Sequence, residues 1–396
     1  MVERLGLKQP PGGIARSLEQ ASKLIERLQF PVIVRPSYVL GGSAMEIIYN
    51  HKDLKEYMTH RLKVSDEFPV LIDHFLIDAI EIDVDAICDG SQVLVAGVMQ
   101  HIEQAGIHSG DSACSLPVYS LSSETVEQIK QQTTQLAHAL NVCGIMNIQF
   151  AVKDGEIYII EVNPRASRTV PFVSKAIGLP LAKIAAHCVV GRSLAQQSCA
   201  AIAGLSHFSV KEAAFPFAKF AGADPLLGPE MRSTGEVMGI GMSFGEAYAK
   251  SQIAAGNQLP SDGQVSISVR DSDKANVVEV AQRFLQAGFR IVATEGTARY
   301  LQANQLECKM IHKVTSGKHP NIIDLINQSD IQLIINTTKG QRTVSDSYAI
   351  RRSAVQAKIC YTTTIAGALA IVEGLSTRCD QVYKLQDLDN SATRTV

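Results

Sequence analysis

The stretch Ile145-Met146-Asn147-Ile148-Gln149-Phe150-Ala151-Val152-Lys153-Asp154-Gly155-Glu156-Ile157-Tyr158-Ile159-Ile160-Glu161-Val162-Asn163-Pro164-Arg165 decides how the first half of the chain is read. Its two apolar runs, 145–152 and 157–162, meet across an Asp-Gly pair, a hairpin signal. Glu161 and Asn163 stand two apart at the end of the second run, so their side chains share one face. A carboxylate beside an amide oxygen suits a hard cation such as Mg²⁺ that also takes phosphate oxygens. A solvated acid at a strand end is the plain alternative. Gln149 joins the pair under one register alone. With a three-residue loop over 154–156, Lys153 faces Ile157 and Gln149 lies opposite Glu161. A two-residue loop sends Gln149 to the other face. We expect the three-residue loop. Two cations, Arg165 and Arg168, follow, suited to an anionic substrate.

Working outward, residues 17–28 carry a helical stripe opened by Ser17. Strands are expected at 32–34, 44–49, 70–72, 80–88 and 92–99, the last two joined across Asp89-Gly90, with helices over 53–62 and 123–140. Hairpins with helices to one side make an α+β layer on antiparallel sheets. Residues 174–256 read as helical and irregular, and 257–263 as a linker. Beyond it, strands at 265–269, 289–293, 331–335 and 358–361 alternate with helices at 274–287, 297–303, 321–328, 346–355 and 364–373. That rhythm predicts an α/β domain with a parallel doubly wound sheet.

Composition narrows the function classes. With 396 residues, 46% hydrophobic and 19% charged, the chain suits two or three packed domains rather than disorder. A formal charge of -2 supplies no broad basic surface for nucleic acid. No apolar run reaches the roughly 18–20 residues of a membrane span, and the charged start Met1–Lys8 does not read as a signal peptide. Eight scattered cysteines form no CxxC pair, which argues against zinc or a disulfide framework and for buried reduced thiols in the cytoplasm.

Two further runs carry polar chemistry. Val34-Arg35-Pro36-Ser37-Tyr38-Val39-Leu40-Gly41-Gly42-Ser43-Ala44 places glycines between strands, able to close over phosphates with Arg35 as donor, or simply to turn a hairpin. His101-Ile102-Glu103-Gln104-Ala105-Gly106-Ile107-His108-Ser109-Gly110-Asp111-Ser112 is more polar than a mere connector needs. The runs Arg35–Gly42, His101–Ser115 and Glu161–Arg168, with Asp224-Pro225-Leu226-Leu227-Gly228-Pro229-Glu230-Met231-Arg232-Ser233-Thr234-Gly235-Glu236-Val237-Met238-Gly239, together resemble the large subunit of carbamoyl phosphate synthetase. More closely, they resemble its carboxy-terminal synthetase half, an ATP-grasp unit that phosphorylates carbamate.

The resemblance implies that Arg35, His74, Leu76, Glu81, Gly106, Ile107, His108, Ser109, Gln149 and Glu161 line an ATP pocket. Gln149, Glu161 and Asn163 would hold Mg²⁺ or Mn²⁺, and Arg165 and Arg168 would act catalytically on carbamate or the moving phosphoryl group. Potassium would have Glu81, His101, Gln104, Ile107 and Ser112 as neighbours. The implied domains are an ATP-grasp domain at 1–190, a helical or irregular extension at 191–256 and a methylglyoxal-synthase-like regulatory domain at 257–396.

In that last domain Thr294-Glu295-Gly296-Thr297 follows a strand and opens a helix, where backbone N–H groups meet anions. Asn336-Thr337-Thr338 follows the next parallel strand, with Lys274 and Lys313 adding charge. The family's effectors, UMP or IMP, would contact Lys274, Thr294, Thr297, Lys313, Asn336 and Thr338. Both loops could equally be caps with no ligand. Ornithine would take Glu103, Asp111 and Glu212.

The family's large subunit is far longer. The chain is therefore expected to be a fragment, missing the amino-terminal part and pre-ATP-grasp domain and partnered by a glutaminase small subunit, with ATP binding impaired in isolation. Two readings follow: an ATP-dependent ligase serving pyrimidine and arginine synthesis, or a catalytically silent nucleotide-sensing fragment. A stand-alone methylglyoxal synthase fits poorly, because that enzyme's run of acids and histidines is not found.

Overall fold

Ser17 accepts a hydrogen bond from the Gln20 N–H and caps α1 (Leu18–Leu28), whose Ala21, Ile25 and Leu28 are buried. The computed structural model describes residues 1–37, 42–61, 69–199, 202, 204–217, 224–337, 347–385 and 387–388. Their contacts divide the chain into two units, Met1–Phe208 with Leu227–Arg232 and Tyr383–Val396, and Ser209–Leu226 with Ser233–Val382.

In the first unit, β1 (Gly12–Ala15), β2 (Val32–Pro36), β3 (Glu46–Ile48) and β4 (Val70–His74) form an antiparallel sheet in the order β1-β4-β2-β3. Val32, Val34, Ile48 and Ile72 pack with α1 and with Leu54 of α2 (His51–Glu56) in one core. Arg35 and Asp73 lie on the opposite face, by strand alternation.

A second antiparallel set holds β5 (Ile80–Asp89), β6 (Val93–His101), β7 (Cys114–Leu116), β8 (Cys143–Lys153) and β9 (Glu156–Asn163), ordered β7-β6-β5-β8-β9. Alternate residues Met146, Ile148, Phe150 and Val152 of β8 face Ile129 and Leu136 of α3 (Ser123–Ala139). Each such fully buried side chain contributes roughly 1.5–3 kcal/mol. The other face is polar at one end. At the other end α4 (Val170–Ile177) and α5 (Leu181–Val189) approach: a Cβ on Gly97 would lie 3.0 Å from Val173, and one on Gly144 would lie 3.3 Å from Val189.

The β8–β9 hairpin corrects the expected loop. Lys153 faces Glu156, so the loop is the two residues Asp154-Gly155, both with positive φ (51° and 78°). That conformation suits the right-handed twist of a tight hairpin. Gln149 nevertheless lies opposite Glu161. A β-bulge between Phe150↔Ile159 and Gln149↔Glu161 inserts Ile160 and turns the face back.

The second unit also corrects an expectation. Residues 174–256 are not merely helical and irregular: β10 (Phe208–Ala214) and β11 (Gly235–Gly241) are neighbouring strands, followed by α6 (Phe244–Ala254). Beyond them comes the parallel sheet of β12 (Gln264–Ser268), β13 (Arg290–Thr294), β14 (Lys309–Ile311), β15 (Leu333–Asn336) and β16 (Cys360–Thr362), ordered β14-β13-β12-β15-β16. Its helices are α7 (Lys274–Gln286), α8 (Glu295–Ala303), α9 (Ile322–Asn327), α10 (Tyr348–Gln356) and α11 (Ile365–Leu375). Strand β14 was not expected; it is three residues long with one buried side chain.

All eight cysteines are free, but only Cys88, Cys114, Cys188 and Cys199 are buried; Cys143 is exposed and the rest are half-buried. No single helix among the described residues is long and apolar enough to cross a membrane.

Candidate functional site

The polar face of the second sheet grows from alternation on three neighbouring strands. On β5, Glu81, Asp83 and Asp85 point the same way. Asp85 lies opposite Asn147, Asp83 opposite Gln149, and on the far side of β8 Asn147 and Gln149 lie opposite Asn163 and Glu161. Glu161 is exposed, and Gln149 and Asn163 are half-buried. Among the described residues none of these three side chains is engaged in a protein hydrogen bond, which leaves three hard oxygens on one face. That donor set fits a divalent cation carrying phosphate ligands. Among the described residues no group of three His, Cys, Asp or Glu offers a metal site, so the two amides are essential to the fit.

Next to this face sits a buried charge cluster. His101 Nε2 bonds Asp83 Oδ2 at 2.9 Å, and Nδ1 lies 3.4 Å from Glu81 Oε2, an ion-pair contact without hydrogen-bond geometry. Burial pulls the imidazole pKa down, but the two carboxylates outweigh it and hold it at about 9. His101 is therefore a cation at neutral pH. Glu81 Oε1 also accepts from the Gly106 N–H at 2.9 Å, tying the 101–112 loop to the sheet.

That loop turns about His108, whose carbonyl accepts from the N–H groups of Asp111 and Ser112 and whose Nδ1 accepts from Gly110 at 3.0 Å. Burial lowers the His108 pKa, Asp111 opposes that and Arg168 adds to it. The segment Leu227–Arg232 folds onto the same place. Gly228 O accepts from His108 N, Asp111 Oδ2 accepts from Arg232 N, Glu230 accepts from Ala44 N, and the Arg168 guanidinium touches the Met231 sulfur. Arg168 is exposed and flanks Gly110, as is Arg165, whose N–H turns back to Asn163 O at 2.8 Å.

Arg35 forms an ion pair with Asp73 of the neighbouring strand, and His74 Nδ1 bonds Leu28 O at the end of α1 at 3.0 Å. Leu76, Phe75 and Ile160 pack around Ala79, Ala105 and Ala151, an apolar cluster. Ile107 is buried, and Ser109 lies in the same turn as His108. The glycine run falls partly outside the described residues, at 38–41. Sequence reasoning missed Asp73, Asp83, Asp85 and Asn147. The signal for the middle two was present, acids two apart in Glu81-Ile82-Asp83-Val84-Asp85.

Of the residues assigned to ornithine, Glu103 accepts from Ala113 N at 2.6 Å and Asp111 from Arg232 N at 2.8 Å, both in the first unit. Glu212, in the second unit, is bound by Gln252.

In the second unit a cavity of about 270 Å³ opens at the carboxyl ends of β12, β13 and β15. Chain order reverses there, from β12 outward to β14 and back to β15, which is where such sheets bind ligands. Lys274, Thr294, Thr297, Lys313 and Asn336 all line it; Thr338 lies outside the described residues. Thr297 Oγ1 accepts from Val269 N at 3.2 Å, and Asn336 Nδ2 donates to the Tyr361 hydroxyl at 3.3 Å. Tyr361 is also bonded by Arg351, a buried side chain that grips Asp224 with Nε and Nη2 at 2.8 and 2.6 Å.

The chain resembles known proteins along both units. The model of the carbamoyl-phosphate synthase L chain ATP binding domain matches residues 1–197, and that of the MGS-like domain matches 276–363. The carbamoyl phosphate synthase large chain of Xanthomonas axonopodis pv. citri is 53% identical over 395 residues, covering 98% of this chain and 36% of its own length. That of Pasteurella multocida is 53% identical over 390 residues with the same coverage. The chain thus spans about a third of the length of these relatives. Among solved structures, a biotin carboxylase complex with β,γ-ATP from Campylobacter jejuni superposes with TM-score 0.51 at 18% identity, over 64% of this chain and 63% of that one. This last likeness speaks for the fold alone. With 53% identity along nearly its whole length, the chain belongs to the carbamoyl phosphate synthase large-chain family and corresponds to its carboxy-terminal portion.

Proposed function

We propose that this portion catalyses ATP-dependent phosphorylation of carbamate, giving carbamoyl phosphate and ADP, under control of a nucleotide effector bound by the second unit. The observation that carries the reading is Gln149, Glu161 and Asn163 on one sheet face beside the loop of Arg165 and Arg168. In the reaction a carbamate oxygen bonds the γ-phosphorus while the bond to the β,γ-bridging oxygen breaks. Catalysis of that transfer is mostly alignment and charge neutralisation. Mg²⁺ or Mn²⁺, held by the three oxygens, would supply charge neutralisation at the phosphates. Arg165 and Arg168 hold the anionic acceptor and the moving phosphoryl group, and Arg35 faces the phosphates from the first sheet. The base would lie against the apolar cluster at Leu76, beside the 105–109 turn.

For potassium the supporting observation is Ser112, fully buried, whose hydroxyl has no partner among the described residues. The protonated His101 ring cannot itself ligate a cation. The enzyme would work in the cytoplasm in pyrimidine and arginine synthesis, joined to the rest of the large chain and to a glutaminase subunit that supplies ammonia. Ornithine, if bound, would compete with the local partners of Glu103, Asp111 and Glu212.

The cavity in the second unit also suits a second reading, nucleotide sensing without catalysis. ATP formation from carbamoyl phosphate and MgADP separates the two. ATP supports the ligase reading, and effector binding with no ATP supports the silent one. For the effector itself, calorimetric titration of the chain with UMP or IMP is expected to give saturable binding. Lys313→Ala should weaken it about tenfold by removing a charge-assisted phosphate contact. No heat at millimolar nucleotide would remove the effector site.

A further inference from the structure

Asp85 lies at the inner end of the polar face, beside Asn147, with 1% of its surface exposed, and none of the roles above uses it. Its carboxylate takes three hydrogen bonds. Asn147 Nδ2 and Ser167 Oγ reach Oδ1 at 2.9 and 2.8 Å, and Thr169 Oγ1 reaches Oδ2 at 2.6 Å. The Ser167 and Thr169 hydroxyl oxygens lie 2.7 Å apart, brought together by the carboxylate they share. These two residues flank Arg168, so its main chain is held from both sides by one buried carboxylate.

Two features of this arrangement work against stability. Thr169 is the N-cap residue of α4, yet its side chain makes no cap hydrogen bond, so the helix forgoes the stabilisation a threonine there ordinarily gives. Burial also pushes the Asp85 carboxyl up to about 6, against the three hydrogen bonds, so its charge is held unfavourably. Local rules broken in this way are expected where geometry serves function. Opposite this point β6 carries a bulge, Ala96 standing unpaired between the pairs Asp85↔Gly97 and Ala86↔Val95, which bends that strand.

We propose that Asp85 is a positioning residue that fixes Ser167–Thr169 so that Arg168 meets the anionic substrate beside Gly110. The inference rests on the role given to Arg168 above. A positioning group must be rigid where it acts and dispensable elsewhere.

The test combines amide hydrogen exchange with reverse-reaction kinetics on the chain carrying Asp85→Asn. Exchange across 165–169 is expected to accelerate about tenfold while β5 and β8 keep their protection. The KM for carbamoyl phosphate should rise about tenfold and that for MgADP stay unchanged. Unchanged exchange at 165–169 would overturn the proposal, and so would protection lost throughout β5 and β8, which marks a merely structural group. Should Asp85→Asn fail to fold, Thr169→Val removes one of the three bonds and is read the same way. If Arg168→Ala leaves the KM for carbamoyl phosphate untouched, the role assigned to Arg168 falls, whereas the exchange result still decides whether Asp85 holds the loop.

Discussion

Glu161→Gln is expected to lower ATP formation from carbamoyl phosphate and MgADP about 10³-fold, the scale on which removing one electrostatic stabiliser of a transition state is felt. The substitution keeps shape and removes one negative charge. Because Glu161 is exposed and takes no protein hydrogen bond among the described residues, the fold has little to lose. A thermal midpoint matching the unsubstituted chain would show that the loss is chemical. The charge matters through the cation: with Gln149 and Asn163 both neutral, Glu161 is the single carboxylate among the three proposed ligands, and hard divalent ions bind neutral amide oxygens alone weakly. Activity unchanged by Glu161→Gln would remove the metal role from this strand end.

The second large effect concerns stability. Asp224→Ala should destabilise the second unit by about 3 kcal/mol, at the lower end for breaking a buried ion pair because Asp224 is partly solvated. Arg351, 1% exposed on α10, would lose its bidentate partner while remaining charged in the interior. Arg351→Met should be milder, since an apolar side chain of similar volume leaves no buried charge behind. The pair of variants is compared by urea denaturation. Equal loss in both would mean that the two lost hydrogen bonds, rather than a stranded buried charge, set the cost. Arg351 also bonds Tyr361, which bonds Asn336 in the cavity, so Asp224→Ala should loosen the cavity wall as well.

Much of the fold was legible because its signals are local. The stripe 18, 21, 24, 25, 28 and the Ser17 cap define α1, the Asp-Gly pairs mark both hairpins, and the βα rhythm beyond 263 yields the parallel sheet with its cavity at Thr294, Thr297, Lys313 and Asn336. What was missed depends on contacts between elements. Strand β10 carries Lys211 and Glu212, 1% and 6% exposed, in its middle, and burial on both faces erased the alternation that marks a strand. Strand β11 holds three glycines, which depress strand propensity. Gly239 is required there because a Cβ would sit 2.1 Å from Ala247 O of α6.

The site shows the same division. Glu161 and Asn163 were readable from spacing, but Gln149 reached its place through a bulge that no pattern of residues announced. The loop length was wrong and the pairing right, two errors of one residue that cancel. Asp83 and Asp85 were overlooked because acids on a strand read as a solvated face, whereas both are 1% exposed here, one against His101 and one against the arginine loop.

The most direct measurement is anomalous diffraction from crystals of the chain grown with Mn²⁺ and ADP, collected at the manganese edge. A manganese peak within ligand distance of Glu161, with Gln149 and Asn163 turned toward it, is the predicted result. A nucleotide bound with its metal held elsewhere, and these three side chains left in solvent, would contradict it.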